Sequence, residues 1–265
     1  MPKTILLTGP TDGLGARAAA SMAQEGHHLI LTGRRQEKLD EMAELLSPHT
    51  DVICYRCDLS VLSDVAKLAD DIAKAHQSID VIINNAGVLK AEETKTSEQL
   101  ELRFVVNCIA PYLLTKRLLG LVPEGGRIVN LSSAAQTPLM ASELAQYADY
   151  SDMGAYGRSK LAITAWTKQL SRKAGGRVFV SVNPGSLLGT KMVKEGFGIA
   201  GADIMIGADI IMKAAVSDEF NDANGLYYDN DAKAFGPPHE AAEDPELGRA
   251  LITEMERILQ NLNLG

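Results

Sequence analysis

Residues Lys3 to Gly15 read KTILLTGPTDGLG, and no other stretch of the chain constrains its fold as strongly. Apolar and β-favouring residues, Thr4 to Leu7, run into a turn bracketed by Gly9, Gly13 and Gly15, and an Ala-rich helical segment, Ala16 to Glu25, follows at once. The expected local pattern is strand, glycine turn, helix. Glycine has no Cβ, so such a turn lets the backbone come close to a phosphate while the free N–H groups of the first helical turn point at the anion. The spacing is G-x-x-x-G-x-G, not the G-x-G-x-x-G of longer dinucleotide-binding chains. Nucleotide binding is the working reading, with a plain tight βα turn as the alternative.

The chain keeps this rhythm. HHLILTG predicts a second strand ending at Gly33, Gln36 to Leu46 a helix with apolar residues at helical spacing, and Asp51 to Cys57 a third strand. Ser60 is placed to cap a helix through Ala75, and IDVIINNAG reads as a short, nearly all-apolar fourth strand. A helix from Ser97 to Leu121, the strand RIVNLSS, a helix from Met153 to Lys173 and the strand RVFVSVNPG continue the alternation. A helix from Ala202 to Ser217, a last strand at GLYYD and a tail helix over 245–262 complete it. Strands alternating with helices through right-handed crossovers give an α/β fold with one doubly wound parallel sheet. Ligands of such sheets sit beyond the carboxyl ends of the strands. No linker or repeat marks a second domain, so one domain over 1–265 is expected.

Charge and composition narrow the partners. With 46% hydrophobic residues the 265-residue chain supports a sizeable core, and its net charge of −8 without a basic cluster argues against nucleic acid or an anionic membrane. A small-molecule ligand fits better. The N-terminus is too weakly apolar for a signal peptide and no membrane span is read, so a cytoplasmic location is expected. Cys54 and Cys57 are three apart in a predicted strand and face opposite sides, and with Cys108 they read as free thiols. The histidines form no ligand pattern, and no metal is expected.

Tyr156 and Lys160, in YGRSK, are four residues apart on one helix face. An ammonium ~6 Å from a phenol at an effective dielectric near 20 favours phenolate by roughly 3 kcal/mol, about two pKa units. Such a tyrosine exchanges protons near neutral pH. RIVNLSS, INNAG and VNPG end predicted strands at the same sheet edge, so a serine hydroxyl stands where it can polarise a carbonyl oxygen while the phenol protonates it. Hydride must then come from a bound cofactor. Pro111 lies four residues after Asn107 and donates no N–H to it, which predicts a bend there and a freed Asn107 carbonyl able to bind water.

From Lys3 to about Met192 the chain resembles the short-chain dehydrogenases/reductases, through TGPTDGLG, CDL, NNAG, Asn107, LSS, YGRSK and NPG in the order of that family. The resemblance implies a Rossmann fold and hydride transfer between a nicotinamide cofactor and a carbonyl or alcohol. It implies Ser133 as the carbonyl-orienting residue, Tyr156 as general acid/base, Lys160 as its activator and a nicotinamide-ribose ligand, and Asn107 as part of a water-linked proton relay. The cofactor would lie along Gly9, Thr11, Asp12, Gly13, Leu14 and Gly15, with Asp58 and Leu59 at the adenine. Asn84 to Gly87, including Asn85 and Ala86, would lie behind it, with Pro184, Gly185 and Thr190 at the nicotinamide. Family members are commonly homodimers or homotetramers through their long helices. A non-catalytic cofactor sensor on the same fold is the alternative from another functional class.

Cofactor choice turns on the end of the second strand, where an acidic residue binds a ribose 2′-hydroxyl and a basic one a 2′-phosphate. Arg34 and Arg35 stand there, so NADP(H) is preferred over NAD(H). Asp12 is acidic inside the glycine turn and would repel a nearby phosphate. Between Ser133 and Tyr156 the chain is longer than is usual in the family, and the extra residues over 136–153 are expected to wall the substrate cleft. This lengthening and the tail pattern GLYYD with FGPPH are similar to retinol-dehydrogenase-like members. The segment 186–206 is expected to act as a lid.

Overall fold

The computed structural model describes residues 1–265 and shows an eight-stranded sheet in the order β3-β2-β1-β4-β5-β6-β7-β8. The strands are β1 Thr4–Thr8, β2 His28–Gly33, β3 Val52–Arg56, β4 Val81–Asn84, β5 Arg127–Leu131, β6 Val178–Asn183, β7 Tyr227–Asp229 and β8 Ala234–Gly236. All neighbours pair in parallel except β7 and β8. The antiparallel β8 was not expected, because AFG is too short to carry a period-2 signal. The order reverses between β1 and β4, which opens a crevice at the carboxyl ends of those strands.

The helices are α1 Gly13–Gln24, α2 Gln36–Leu46, α3 Leu62–Ala75, α4 Leu102–Leu121, α5 Asp152–Ser171, α6 Lys191–Phe197, α7 Met205–Val216, α8 Glu240–Glu243 and α9 Pro245–Asn261. Alternate residues of the strands enter two cores. Leu6 packs among residues of α3, α4, α5 and α9, whereas Ile5 and Leu7 pack with α1, α2 and α7. Every residue of β4, β5 and β6 is buried, as a parallel sheet covered on both faces requires. Each fully buried Leu or Ile stabilises the fold by roughly 2 kcal/mol.

Two expectations are corrected. Ser60 does not cap α3: its hydroxyl turns back to Asp58 Oδ1 at 2.6 Å, and the Leu62 N–H donates to Glu98 Oε1 instead. The helix expected from Ser97 begins at Leu102. Residues ahead of it form a turn closed by an antiparallel bridge between Lys95 and Glu101, and Glu101 caps the helix through the Arg103 N–H. Near Pro111 the helix departs from regular α geometry. The helix passes it with a π-helical turn over Val105–Ile109, in which the Ala110 N–H reaches the Val105 carbonyl. Leu102–Leu121 is long and apolar enough to cross a membrane, but it lies mostly buried within the fold.

Candidate active site

The glycine turn is fixed by contacts that leave no room for side chains. A Cβ on Gly15 would stand 2.0 Å from the Gly9 carbonyl oxygen and 2.6 Å from Asn85 Nδ2, and Gly9 and Gly13 hold φ of +67° and +55°. Asn85 Nδ2 donates to the carbonyls of Thr8 and Gly9 at 2.8 and 3.0 Å. Thr8 Oγ1 accepts the N–H groups of both Asn85 and Ala86 at 3.0 Å. Asn85 therefore staples the β4 loop to the turn, and Thr8, which nothing in the sequence singles out, is the other half of the staple. The N–H groups of Leu14 and Gly15 have no protein partner, so the start of α1 presents two free donors. Asp12 is the N-cap of α1, its Oδ1 taking the Gly13 N–H at 2.7 Å. The acidic residue that disturbs the phosphate reading thus has a helix-capping duty.

Arg34 and Arg35 are exposed at the end of β2 and form no ion pair with a carboxylate. Arg56 joins them. It ends β3 beside Gly33, and its Nε donates to the Arg34 carbonyl at 3.2 Å. Its nearness follows from strand register, which was not legible before β2 and β3 were paired. Asp58 follows β3 and uses Oδ1 to accept the Ser60 N–H and hydroxyl, while Leu59 packs against the core. Asn84 does not face a ligand: it is buried, and its Nδ2 donates to Asn130 Oδ1 at 2.7 Å and Thr115 Oγ1 at 3.1 Å.

Tyr156, Lys160, Ser133 and Asn107 converge where α5 crosses the ends of β4 and β5. Ser151 caps α5 by accepting the Gly154 N–H, which sets the helix entry one turn before Tyr156. Lys160 Nζ lies 5.6 Å from the centre of the Tyr156 ring and donates to the Leu131 carbonyl at 2.6 Å. Ser132 is buried against Thr164, so Ser133 is the serine left to face Tyr156. Ser133 Oγ accepts the Ala135 N–H at 3.1 Å. Asn107 is buried and clasps Val88, accepting its N–H at 2.8 Å and donating to its carbonyl at 2.9 Å; it also donates to Ser159 Oγ at 3.0 Å.

The electrostatics differ from the expected two-unit drop at Tyr156. Burial raises the phenol's pKa, and a hydrogen bond from Ser133 opposes the rise. Burial also pushes the Lys160 ammonium down to about 8. Lys160 Nζ also donates to the Leu131 carbonyl, and its burial disfavours the charged form that would stabilise a phenolate. Burial likewise raises the Cys54 and Cys57 thiols, to about 11 and 12, which leaves both protonated at neutral pH.

The segment after β6 closes over this edge. Gly185 has φ of +117°, and its N–H donates to Asn183 Oδ1 at 3.2 Å; the Pro184 carbonyl accepts Asn230 Nδ2 at 2.9 Å. Thr190 caps α6, and its methyl stands 3.7 Å from where a Gly13 Cβ would be. A parallel bridge between Leu188 and Ala202 pinches the base of the segment. A cavity of about 260 Å³ opens between Leu89, Lys90, Ser151, Asp152, Met153 and Gly196, one helical turn from Tyr156. Only the end of the 136–153 stretch reaches this cavity. Its middle forms a short 3-10 turn, Ala141–Ala145, whose Leu144 is buried in the core shared with α9.

The sequence profile of the short chain dehydrogenases matches residues 3–197. This chain belongs to the short-chain dehydrogenase/reductase family. Retinol dehydrogenase 13 of Homo sapiens is 30% identical over 97% of this chain and 84% of its own length. A crystal structure of a Mycobacterium paratuberculosis protein superposes with a TM-score of 0.81, at 26% identity, over 97% of this chain and 93% of that one. A Shigella flexneri short chain dehydrogenase complexed with NADP has a TM-score of 0.69 at 25% identity, covering 86% of this short-chain dehydrogenase and 97% of its own chain. The protein is an NAD(P)-dependent oxidoreductase acting on CH–OH or C=O groups.

Proposed function

We propose that this enzyme is an NADP(H)-preferring reductase or dehydrogenase that works with Tyr156, Lys160, Ser133 and Asn107. The observation that carries the reading is the convergence of these four side chains at the sheet edge where the glycine turn opens. The turn fits a dinucleotide: Gly9, Gly13 and Gly15 keep the cradle free of side chains, and the Leu14 and Gly15 N–H groups suit a pyrophosphate. Bound there, the nicotinamide supplies or accepts hydride.

The residues do the rest. Ser133 Oγ accepts the Ala135 N–H and has one O–H proton to give, to the Tyr156 oxygen in the free enzyme and to a substrate carbonyl oxygen once one is bound. Tyr156 gives that oxygen a proton in reduction and takes one back in oxidation. Its raised pKa keeps the phenol protonated at neutral pH, the form that carbonyl reduction uses. Lys160 holds the nicotinamide ribose and limits the cost of the phenolate formed in turnover. Asn107 fixes the Val88 loop behind the site. Asp58 and Leu59 would border the adenine, Ala86 and Gly87 would back the cofactor, and Pro184, Gly185 and Thr190 would meet the nicotinamide end. Segment 186–206 is the lid.

The surface of α4 and α5 through which family members commonly pair is occupied here. Tyr112 and Lys116 on α4 both bond Glu256 on α9, and Cys108 meets Met255. We infer that self-association through the long helices is blocked by the tail helix.

The cofactor preference rests on Arg34, with Arg35 and Arg56 beside it. A panel of aldehydes, ketones and alcohols assayed with both cofactors tests the reading. Turnover with NADPH is expected, and binding without turnover on the whole panel would assign a sensor instead. Arg34→Ala should weaken NADPH by about tenfold, the value of one charge-assisted hydrogen bond, and leave NADH unchanged. Equal losses for both cofactors show that the 2′-phosphate is not read there.

A further inference from the structure

β7 carries two adjacent tyrosines that strand alternation sends to opposite faces. Tyr228 enters an aromatic cluster with Phe220 and Phe235 on the α7 face. Tyr227 faces the other way, towards α5. It is 6% exposed, and its hydroxyl donates to the Ser133 carbonyl at 3.1 Å. The Gln136 Nε2 donates to the same carbonyl at 3.0 Å. Ser133 lies past the end of β5, where no strand ladder holds its backbone. These two donors and the Ala135 N–H on its Oγ therefore fix both its main chain and its hydroxyl rotor.

We propose that Tyr227, assisted by Gln136, is a positioning residue that aims the Ser133 hydroxyl at the reacting oxygen beside Tyr156. The inference rests on the reading of Ser133 and Tyr156 given above. Two features support a donor role over simple packing. Burial and the Asp229 carboxylate raise the Tyr227 phenol's pKa against a lowering hydrogen bond with Gln136, so the hydroxyl keeps its proton at neutral pH. The contact also spans 94 residues of chain, tying the strand after the lid to the loop that carries the serine. An error of an ångström in a group that contacts the transition state lowers rate far more than it lowers binding.

Tyr227→Phe keeps the ring and deletes only the hydroxyl. The expected result is a fall in kcat of about tenfold, with KM for NADPH and the thermal midpoint unchanged. Gln136→Leu should act in the same direction, and the double variant should lose less than the product of the two single losses because both act through one carbonyl. If Tyr227→Phe fails to fold, Gln136→Leu carries the test alone. Wild-type kcat in both single variants, or a loss that appears in KM alone, overturns the inference. Ser133→Ala separates the two levels: if it retains full turnover, the reading of the site fails with the inference. If it is inactive while Tyr227→Phe and Gln136→Leu run at the wild-type rate, only the positioning role is lost.

Discussion

Tyr156→Phe is expected to lower turnover by about a thousandfold while leaving NADPH affinity near its wild-type value. The substitution removes one oxygen from a side chain whose ring stays beside the Lys160 ammonium, so the geometry of the site should persist. What disappears is the only phenol placed both against Ser133 and over Lys160, and general acid–base catalysis of this kind is worth about 10²- to 10⁴-fold. The pH dependence supplies a second check. Because the phenol's pKa is raised, carbonyl reduction, which needs the protonated form, should stay level across the neutral range and fall on the alkaline side. Alcohol oxidation, which needs the phenolate, should rise over the same alkaline range. Steady-state rates in both directions against pH test this, and a Tyr156→Phe variant with most of its activity would remove the mechanism.

Arg103→Met should cost the fold about 3–5 kcal/mol. Arg103 is 1% exposed at the start of α4 and holds Glu101, itself fully buried, through Nε at 2.6 Å and Nη2 at 3.0 Å. Its Nη1 reaches Asp152 at the first turn of α5 at 2.6 Å, and the Leu89 carbonyl at 3.4 Å. One guanidinium thus ties together the turn before α4, the loop after β4 and the entrance of the helix that carries Tyr156 and Lys160. Methionine fills similar space but leaves the Glu101 carboxylate buried without its cation, and an uncompensated buried charge is the expensive state. Replacing Glu101 by Leu in the same chain should recover part of the loss. Urea unfolding of the three proteins measures this, and an unchanged midpoint for Arg103→Met would mean that water reaches Glu101 and the triad contributes little.

The triad also shows why parts of the molecule were hidden in the sequence. Glu101 and Arg103 are two apart, a spacing that reads as solvated charge on a helix start, and Asp152 lies 49 residues further on. Nothing local says that they meet. The same holds for Arg56, which reaches Arg34 only through the pairing of β2 with β3, and for Thr8 and Tyr227, whose hydroxyls bond across 77 and 94 residues. The misplaced start of α4 has a similar origin: Ser97 and Glu98 resemble a helix N-terminus, but the Lys95–Glu101 bridge and the capping of α3 by Glu98 draw them into a turn.

The alternation of strands and helices, the glycine turn, and the membership of Tyr156 and Lys160 in one helix face were legible from the residues alone. Those features rest on local chemistry: apolar runs, missing Cβ atoms and a period of 3.6 residues. How the charges and hydroxyls are used depends on the folded arrangement. Lys160 looked like a free cation beside a phenol, and burial lowers the ammonium's pKa while raising the phenol's. Asp12 looked like a repulsive charge, and the helix start made it a cap. Solvation and hydrogen-bond partners are set by residues far away in the chain, so a group's identity can be read in sequence while its ionisation and aim cannot.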